Sequence, residues 1–177
     1  MSAPVSIIIN MAGPDRPGLV ESLSTTISEA GGNWEGSRMA RLSGQFAGVV
    51  NVMVSPSKLD SLRTDLENMS KDGLLVSMVE ASVVSEDSEV SGDAFSLEVV
   101  GQDRTGIVKE ISHTLAELGV NVVELITECS SAPMSGERLF EADAVIIIPT
   151  DCSQEKVQEQ IEEIAHDLAV TISSIEE

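Results

Sequence analysis

The chain has 177 residues, of which 42% are hydrophobic, and its 30 acidic and 10 basic side chains give a formal net charge of −20. Such a charge repels the phosphates of nucleic acids and of anionic membranes, so we expect direct binding to neither. Aromatic residues make up only 2% of the chain, which also excludes the stacking platforms of single-strand binding proteins.

The first predicted element is a β-strand, because residues 5–11 form a β-rich run that ends in a turn. The turn, Gly-Pro-Asp-Arg-Pro-Gly, covers residues 13–18. Apolar residues then recur with helical spacing over residues 19–30, and Gly31 is a typical residue to end such a helix. The chain therefore opens as strand, turn and helix.

Two extended segments follow at residues 33–42 and 45–54, and the Ser-Gly pair between them predicts a hairpin turn. A single apolar stripe beside a charged face predicts a second helix over residues 59–69. A final strand is expected at residues 74–84. The elements of this first copy thus have the order βαββαβ.

An acidic segment follows at residues 85–93, Ser-Glu-Asp-Ser-Glu-Val-Ser-Gly-Asp. Its acids and its lack of large apolar groups are typical of an exposed linker. We therefore expect one domain at residues 1–84 and another at residues 94–177.

The second half of the chain repeats the first. The Gly-x-Asp-Arg-x-Gly turn returns at residues 101–106, an offset of 88, and the Gly-x-Asn sequence ending at Asn33 returns with the same offset at Asn121. Farther on, alignment of Pro56 with Pro149 changes the offset to 93. Two matches at one offset indicate a duplicated module rather than chance.

The second copy has the same order of elements as the first. They are expected at residues 94–100, 107–118, 121–130, 138–148, 157–168 and 169–175. The change of offset places five extra residues in a Ser/Gly/Pro loop at residues 130–137, which should be mobile.

A βαββαβ order with two amphipathic helices predicts an α+β fold of ferredoxin-like type, in which both helices cover one face of an antiparallel sheet. The chain then holds two such domains in tandem. The other sheet face and the edge strands stay open, so we expect pairing of the modules, a homo-oligomer or both. Crevices between modules are places where a ligand can lodge.

The Gly-x-Asp-Arg-x-Gly opening and the Gly-x-Asn entry to the second strand, present in both halves, resemble those of ACT domains, small regulatory modules that bind amino acids. Among tandem-ACT proteins, the chain most resembles the family of glycine cleavage system transcriptional repressors. That resemblance implies a regulator of the glycine cleavage operon that has no DNA-binding domain. It also implies that the regulator acts with glycine on a LysR-type transcriptional activator.

In amino-acid-binding ACT domains, a polar turn residue and an asparagine that opens the second strand hold the ligand. Asp15 and Asn33 match those positions here, as do Asp103 and Asn121. The serine-binding module of phosphoglycerate dehydrogenase instead has asparagine at the aspartate position and a ligand-contacting histidine at that of the first turn glycine. The resemblance therefore implies an amino acid, with glycine or serine the first candidates, without deciding which.

These residue types suit an α-amino acid chemically. Free N–H groups at a helix start can bind its carboxylate, and glycine lets the ligand approach the backbone closely. Aspartate can accept from the ammonium group, asparagine can both donate and accept, and arginine can hold a carboxylate. The candidate ligand-binding residues are Gly13, Asp15, Arg16, Gly18 and Asn33 in the first copy and Gly101, Asp103, Arg104, Gly106 and Asn121 in the second.

The alternative is a structural role for the same residues. Aspartate before a helix is a common cap, proline is favoured at the first helical position, and Gly-Asn is ordinary turn chemistry. Arginine beside aspartate often forms a surface ion pair. Trp34, whose counterpart is Val122, lines a crevice or fills an interface. Recurrence of the whole set in both copies favours ligand binding in at least one of them.

The sequence contains no P-loop, nucleophile elbow or other catalytic signature, so we predict that the protein is not an enzyme. Cys129 and Cys152 lack a CxxC spacing, and His113 and His166 lie apart on predicted helices, so we expect no metal and no cofactor. Reduced thiols and the lack of a span of ~20 apolar residues indicate a cytoplasmic protein. We predict an amino-acid-responsive regulator, with a ligand-independent interaction module as the alternative.

Overall fold

The chain forms two compact units, Met1–Ser85 and Glu86–Glu177, which we call module 1 and module 2. Each is an antiparallel sheet with two helices in the order βαββαβ, so the predicted α+β fold of ferredoxin-like type is confirmed. The structure is a computed structural model that describes residues 3–70, 73–81, 91–131 and 137–175.

The elements of the two modules correspond one to one. Module 1 contains β1 (Val5–Pro14), α1 (Leu19–Glu29), β2 (Asn33–Leu42), β3 (Gln45–Val54), a short 3-10 helix (Pro56–Lys58), α2 (Leu59–Met69) and β4 (Leu75–Glu80). Module 2 contains β5 (Gly92–Gln102), α3 (Ile107–Glu117), β6 (Asn121–Ser131), β7 (Arg138–Pro149), α4 (Gln154–Ile164) and β8 (Leu168–Ser174). No helix in the described part of the chain is long and apolar enough to cross a membrane.

The first strand of each module is central in its sheet. The strand order is β2-β3-β1-β4 in module 1 and β6-β7-β5-β8 in module 2, and every pair is antiparallel. The second strand, β2 or β6, therefore lies at one edge. The turn that follows the central strand leaves the middle of the sheet and leads into the first helix.

One apolar core per module holds the helices on the sheet. In module 1, Leu23 of α1 and Leu62 of α2 are fully buried against alternate strand residues such as Val52. In module 2, Ile146 and Val157 are equally buried. Burial of one such side chain contributes about 1.5–3 kcal/mol, so the alternation of apolar residues along the strands decides which sheet face the helices cover.

The predicted offset of 93 in the second half of the repeat is wrong by one residue. Ile9 pairs with Val50 in module 1, and its counterpart Leu97 pairs with Ala144 in module 2, so the offset between β3 and β7 is 94. An offset of 93 would match the buried Val50 to the exposed Asp143. A one-residue shift moves every side chain of a strand to the other face of the sheet. Burial therefore determines the correct alignment of β3 with β7, which the alignment of the two prolines gave wrongly.

Two predicted boundaries also differ from the structure. β5 begins at Gly92, inside the predicted linker 85–93, most of which lies outside the described residues. The second helix of module 2 ends at Ile164, and Leu168, predicted as the last residue of its apolar stripe, begins β8 instead. Ala165 is 1% exposed and fills the core at the end of α4, so the apolar face of this helix ends one turn earlier than predicted.

The predicted hairpin turn between β2 and β3 is confirmed. Ser43 and Gly44 have φ values of 50° and 78°, and positive φ at both positions is typical of a two-residue type I′ turn. The corresponding loop of module 2, predicted at residues 130–137, lies largely outside the described residues. His166, predicted on a helix, lies in the turn between α4 and β8.

Candidate functional site

The turns after β1 and β5 have the same backbone geometry. Gly18 and Gly106, with φ of 90° and 99°, are the N-cap residues of α1 and α3, and neither helix has a side-chain capping bond. This left-handed conformation favours glycine, and an uncapped start leaves N–H groups of the first helical turn without intrahelical acceptors. An aspartate cap and a proline at the first helical position, the structural alternative, are therefore both wrong for this turn.

The turn aspartates attach the central strand to the neighbouring hairpin. The backbone N–H of Asp15 donates to the carbonyl of Gly44 at 2.9 Å, and its carboxylate accepts from Arg41 Nε at 2.8 Å. In module 2, the N–H of Asp103 donates to the carbonyl of Arg138 at 2.9 Å, and its carboxylate accepts from Arg138 Nε at 3.0 Å. The arginines are 70% and 68% exposed, so these pairs contribute little to stability.

The predicted asparagines lie at the other end of the sheet from the turns. Asn33 pairs with Met53, whereas Pro14, next to Asp15, pairs with Gln45. The two partners are separated along β3 by a distance of roughly 25 Å at the usual rise per residue. The same arrangement holds in module 2. A module therefore does not bring its own aspartate and asparagine together on one small amino acid.

Among the remaining predicted residues, the first glycine of each turn is packed in the module and the asparagines are exposed. A Cβ at Gly13 would lie 2.9 Å from Leu74, and one at Gly101 would overlap with Leu168, so these glycines allow the central strand to pack closely. The side-chain amide of Asn33 is exposed and donates to a neighbouring glutamate, and Asn121 is exposed as well.

The arginine of the second turn belongs to an ion-pair cluster, the Arg104 cluster, formed by Arg104, Glu110 and Asp167. Arg104 Nε and Nη2 donate to the two Asp167 oxygens at 2.6 and 3.1 Å, and Nη1 and Nη2 donate to the two Glu110 oxygens at 2.9 and 2.7 Å. The hydrogen bonds that Arg104 donates lower the pKa of both carboxyl groups, and its bonds to Asp167 and then to Glu110 raise the pKa of Arg104. Both ends of the guanidinium fork are therefore occupied by carboxylates of the same module.

The arginine of the first turn has no such partners. The positions that correspond to Glu110 and Asp167 are Ser22, at the offset of 88, and Gly73, at the offset of 94. Within the part of the chain that the structure describes, Arg16 forms no ion pair and no side-chain hydrogen bond. Its side chain is exposed, so its guanidinium is available to an anion.

A depression opens beside the arginine of module 1. It is lined by Arg16, Pro17, Gly18, Leu19, Ser22, Met69 and Leu74. Arg16 is the charged residue among these lining residues. A second depression, which Arg16 also lines, includes Asp15 and Glu21. The depression beside α3 in module 2 includes Glu110 and Lys109, but Arg104 does not line it.

Sequence reasoning missed the residues that distinguish the two arginines. Glu110 is aligned with Ser22 at the offset of 88, so an acid present in one copy and absent from the other was a signal available in the repeat. Asp167 is matched to Gly73 only at the offset of 94, which the sheet register establishes. The two candidate arginines, Arg16 and Arg104, therefore have different surroundings.

A second missed feature is an apolar groove in module 2, between α3 and the edge strand β6. Its lining includes Val108, Leu115, Leu125, Phe140 and Ala142. On β6, Val123 is 59% exposed and Ile126 is 61% exposed, although Glu124 and Glu128 share the open face with Ile126. In module 1, Trp34 and Met39 of β2 pack against the core at the corresponding place. Trp34 thus fills a space that the smaller Val122 leaves open.

Comparison with known proteins agrees with this architecture. A family model described as ACT domain matches residues 6–79. The chain is 30% identical to a protein of unknown function from Galdieria sulphuraria, whose crystal structure it matches over 98% of this chain and 99% of that chain with a TM-score of 0.80. A structure provisionally identified as a glycine cleavage system transcriptional repressor is 20% identical over 99% of this chain and 100% of that chain, with a TM-score of 0.70. None of the curated proteins compared with the sequence matches it.

Proposed function

Because an ACT-domain family model matches module 1 over residues 6–79 and module 2 has the same fold, we propose that the chain is a non-enzymatic regulatory protein that senses a small α-amino acid and acts through a protein partner. The observation that carries this proposal is the guanidinium of Arg16, which has no carboxylate partner in the described residues of a chain with a net charge of −20. It lies beside an uncapped helix start and an open depression.

The chemistry of the first turn fits the two charged groups of an α-amino acid. Arg16 and the N–H groups at the start of α1 supply donors for the carboxylate, and the positive end of the helix dipole favours the same charge. Asp15 and Glu21, which line a depression together with Arg16, supply acceptors for the ammonium group. The exposed pair between Asp15 and Arg41 leaves that carboxylate accessible to a second cation. Glycine and serine are the first candidates because both are small.

We propose a LysR-type transcriptional activator as the protein partner and glycine cleavage as the regulated system. The fold likeness to the provisionally identified glycine cleavage repressor extends over the whole chain and supports this proposal. The net charge of −20 opposes direct contact with DNA, so an effect on transcription would pass through another protein.

A ligand-independent interaction module is the second candidate, and the apolar edge of module 2 favours it. The outer backbone of β6 pairs with no strand among the described residues, and its side chains include the exposed Leu125 and Ile126. Such an edge can add a strand of a partner or of a second copy of the chain. A homo-oligomer formed through β6 would be detected by sedimentation, and a charge introduced at Ile126 would dissociate it.

Thermal unfolding in the presence of each of the twenty amino acids separates the two candidates. A ligand that binds only the folded state raises the melting temperature, with a stabilisation of about 2.7 kcal/mol at 100 times its Kd. We expect glycine or serine to raise it and Arg16→Ala to remove the rise. Arg63→Ala, at another exposed arginine of module 1, is the matched control and should leave the rise intact.

The absence of a rise with any of the amino acids would exclude the sensor and leave the interaction module. Asn33→Ala tests the remaining residue of the predicted set. Because Asn33 lies far from the turn of its own module, loss of the rise in that variant would mean that an asparagine of a second chain completes the site.

A further inference from the structure

We infer that the second turn is occupied internally by Glu110 and Asp167, which take the place of a ligand carboxylate, and that the chain therefore binds amino acid at module 1 alone. This inference rests on the proposed function, because it states which of the two related turns performs it. The corresponding positions, Ser22 and Gly73, are then the residues that keep the first turn open.

The hydrogen-bond geometry of the Arg104 cluster leaves no room for a further carboxylate. A guanidinium has five N–H donors and two edges that can hold a carboxylate in a bidentate manner. Asp167 accepts along the Nε/Nη2 edge and Glu110 accepts along the Nη1/Nη2 edge. A ligand carboxylate would have to displace one of these groups, whereas Arg16 offers both edges.

Electrostatics act in the same direction as geometry. Within the Arg104 cluster, one positive charge faces two negative charges, so an approaching carboxylate meets a net negative charge at close range. At the first turn, the depression that contains Ser22 and Met69 has Arg16 as its charged lining residue. A carboxylate that enters this depression therefore meets a guanidinium that is unpaired among the described residues, whereas one that approaches Arg104 meets two carboxylates that are already bonded to it.

The two carboxylates belong to the fold of module 2 itself. Glu110 is on the first turn of α3 and Asp167 immediately precedes β8, so both are held by regular elements packed on the core of module 2. Folding of module 2 places both carboxylates beside Arg104, and their position does not depend on the concentration of ligand. Module 2 then keeps one state at every amino-acid concentration, and the response of the chain follows a single-site curve.

Isothermal titration calorimetry with glycine and with serine as probes tests the inference through the number of bound molecules per chain. We expect one molecule per wild-type chain and two after Glu110→Gln combined with Asp167→Asn. Glu117→Gln, on the same helix but outside the cluster, is the matched control and should leave the number at one. In the opposite direction, Ser22→Glu should lower the affinity of the first turn by giving Arg16 an internal carboxylate.

A second measurement reports the state of each arginine without any ligand. Phenylglyoxal modifies accessible guanidinium groups, and mass spectrometry can follow Arg16 and Arg104 separately. Arg16 should react faster than Arg104 in the wild-type chain, and the rate for Arg104 should rise towards that of Arg16 in the Glu110→Gln/Asp167→Asn variant. Should that variant fail to fold, Ser22→Glu supplies the same comparison, because it should slow the reaction of Arg16.

The possible failures can be told apart. Two molecules bound per wild-type chain, or equal reactivity of Arg16 and Arg104, would overturn the inference and leave the proposed function in place. No binding of either amino acid to the wild-type chain, together with no thermal response to the other eighteen, would overturn the proposed function and the inference with it.

Discussion

The two modules have the same order of elements and the same Gly-x-Asp-Arg-x-Gly turn, but the surroundings of the turn arginine differ. In module 1, Arg16 is exposed beside an open depression, and Trp34 closes the space under the edge strand. In module 2, Arg104 is bonded to Glu110 and Asp167, and the space under the edge strand is an apolar groove. The same local motif thus carries an arginine without a carboxylate partner among the described residues in module 1, and an arginine bonded to two carboxylates in module 2.

This difference shows that two copies of one sequence motif can differ in whether their arginine is available to a ligand. The backbone of the turn is the same in both copies because glycine and the helix start determine it locally. The availability of the arginine depends on residues from a helix and from a strand end, which have diverged. Under the further inference, ligand binding belongs to module 1 alone.

The largest expected effect concerns the edge strands. Trp34→Val, which gives module 1 the smaller residue found at Val122, should open a groove under β2 and lower the free energy of unfolding by about 2 kcal/mol. Val122→Ala in module 2 should lower the free energy of unfolding by less than half of that amount, because Val122 is already 39% exposed. Denaturant unfolding followed by circular dichroism measures both, and equal losses would contradict the assignment of Trp34 as the groove-filling residue.

A smaller effect tests what the modules share. Gly18→Ala and Gly106→Ala should each destabilise the protein by roughly 1–2 kcal/mol, because both residues have left-handed φ values that disfavour a Cβ. An added Cβ would meet Glu21 at 3.9 Å and Glu110 at 3.5 Å, which are ordinary contacts, so crowding adds little. Unfolding experiments on the two variants should give similar losses. A large difference would show that the turns are not equivalent even in their backbones.

The smallest effect concerns the exposed ion pairs and depends on pH. The pKa values of Glu110 and Asp167 are held below 4.5 and 3.8 in the folded state by hydrogen bonds from Arg104. A lowered folded-state pKa contributes stability that is present above the unfolded-state value and is lost as the pH falls through the folded-state value. Arg104→Ala should therefore lower the melting temperature at pH 7 and have a diminishing effect as the pH falls below about 4.5.

The corresponding variant of module 1, Arg16→Ala, should have little effect on the melting temperature at either pH in the absence of ligand. Calorimetric melting of the wild type and both variants between pH 7 and pH 3 provides the comparison. A pH-dependent loss in Arg16→Ala similar to that in Arg104→Ala would mean that Arg16 has carboxylate partners in solution.

The sequence predicted the elements of the fold well because the signals that define them are local. Alternation along strands, helical spacing and the glycines at positive φ, such as Gly31 and Gly119, act over a few residues. The errors arose where a longer-range choice was needed. The offset in the second half depended on which face of β7 is buried, and the end of α4 depended on Ala165 fitting into the core.

The candidate site was predicted less completely than the fold. The sequence identified Asp15 and Arg16 as residues of an exposed turn but grouped them with Asn33, which the strand order places at the other end of the sheet. That separation follows from β1 and β2 running in the same direction on either side of β3. Sequence spacing alone does not contain this information, because the residues near the turn come from the hairpin and from the second helix.

The amino-acid sequence by itself determined that the chain contains two copies of one α+β module, because hydrophobic periodicity and glycine positions specify strands, helices and turns from neighbouring residues. Only the tertiary structure decided that the two turn arginines differ. Asp167 lies 63 residues from Arg104 along the chain, and the two meet because β8 pairs with β5 beside the turn. An ion pair depends on distance in space, and that distance exists only after the sheet has formed.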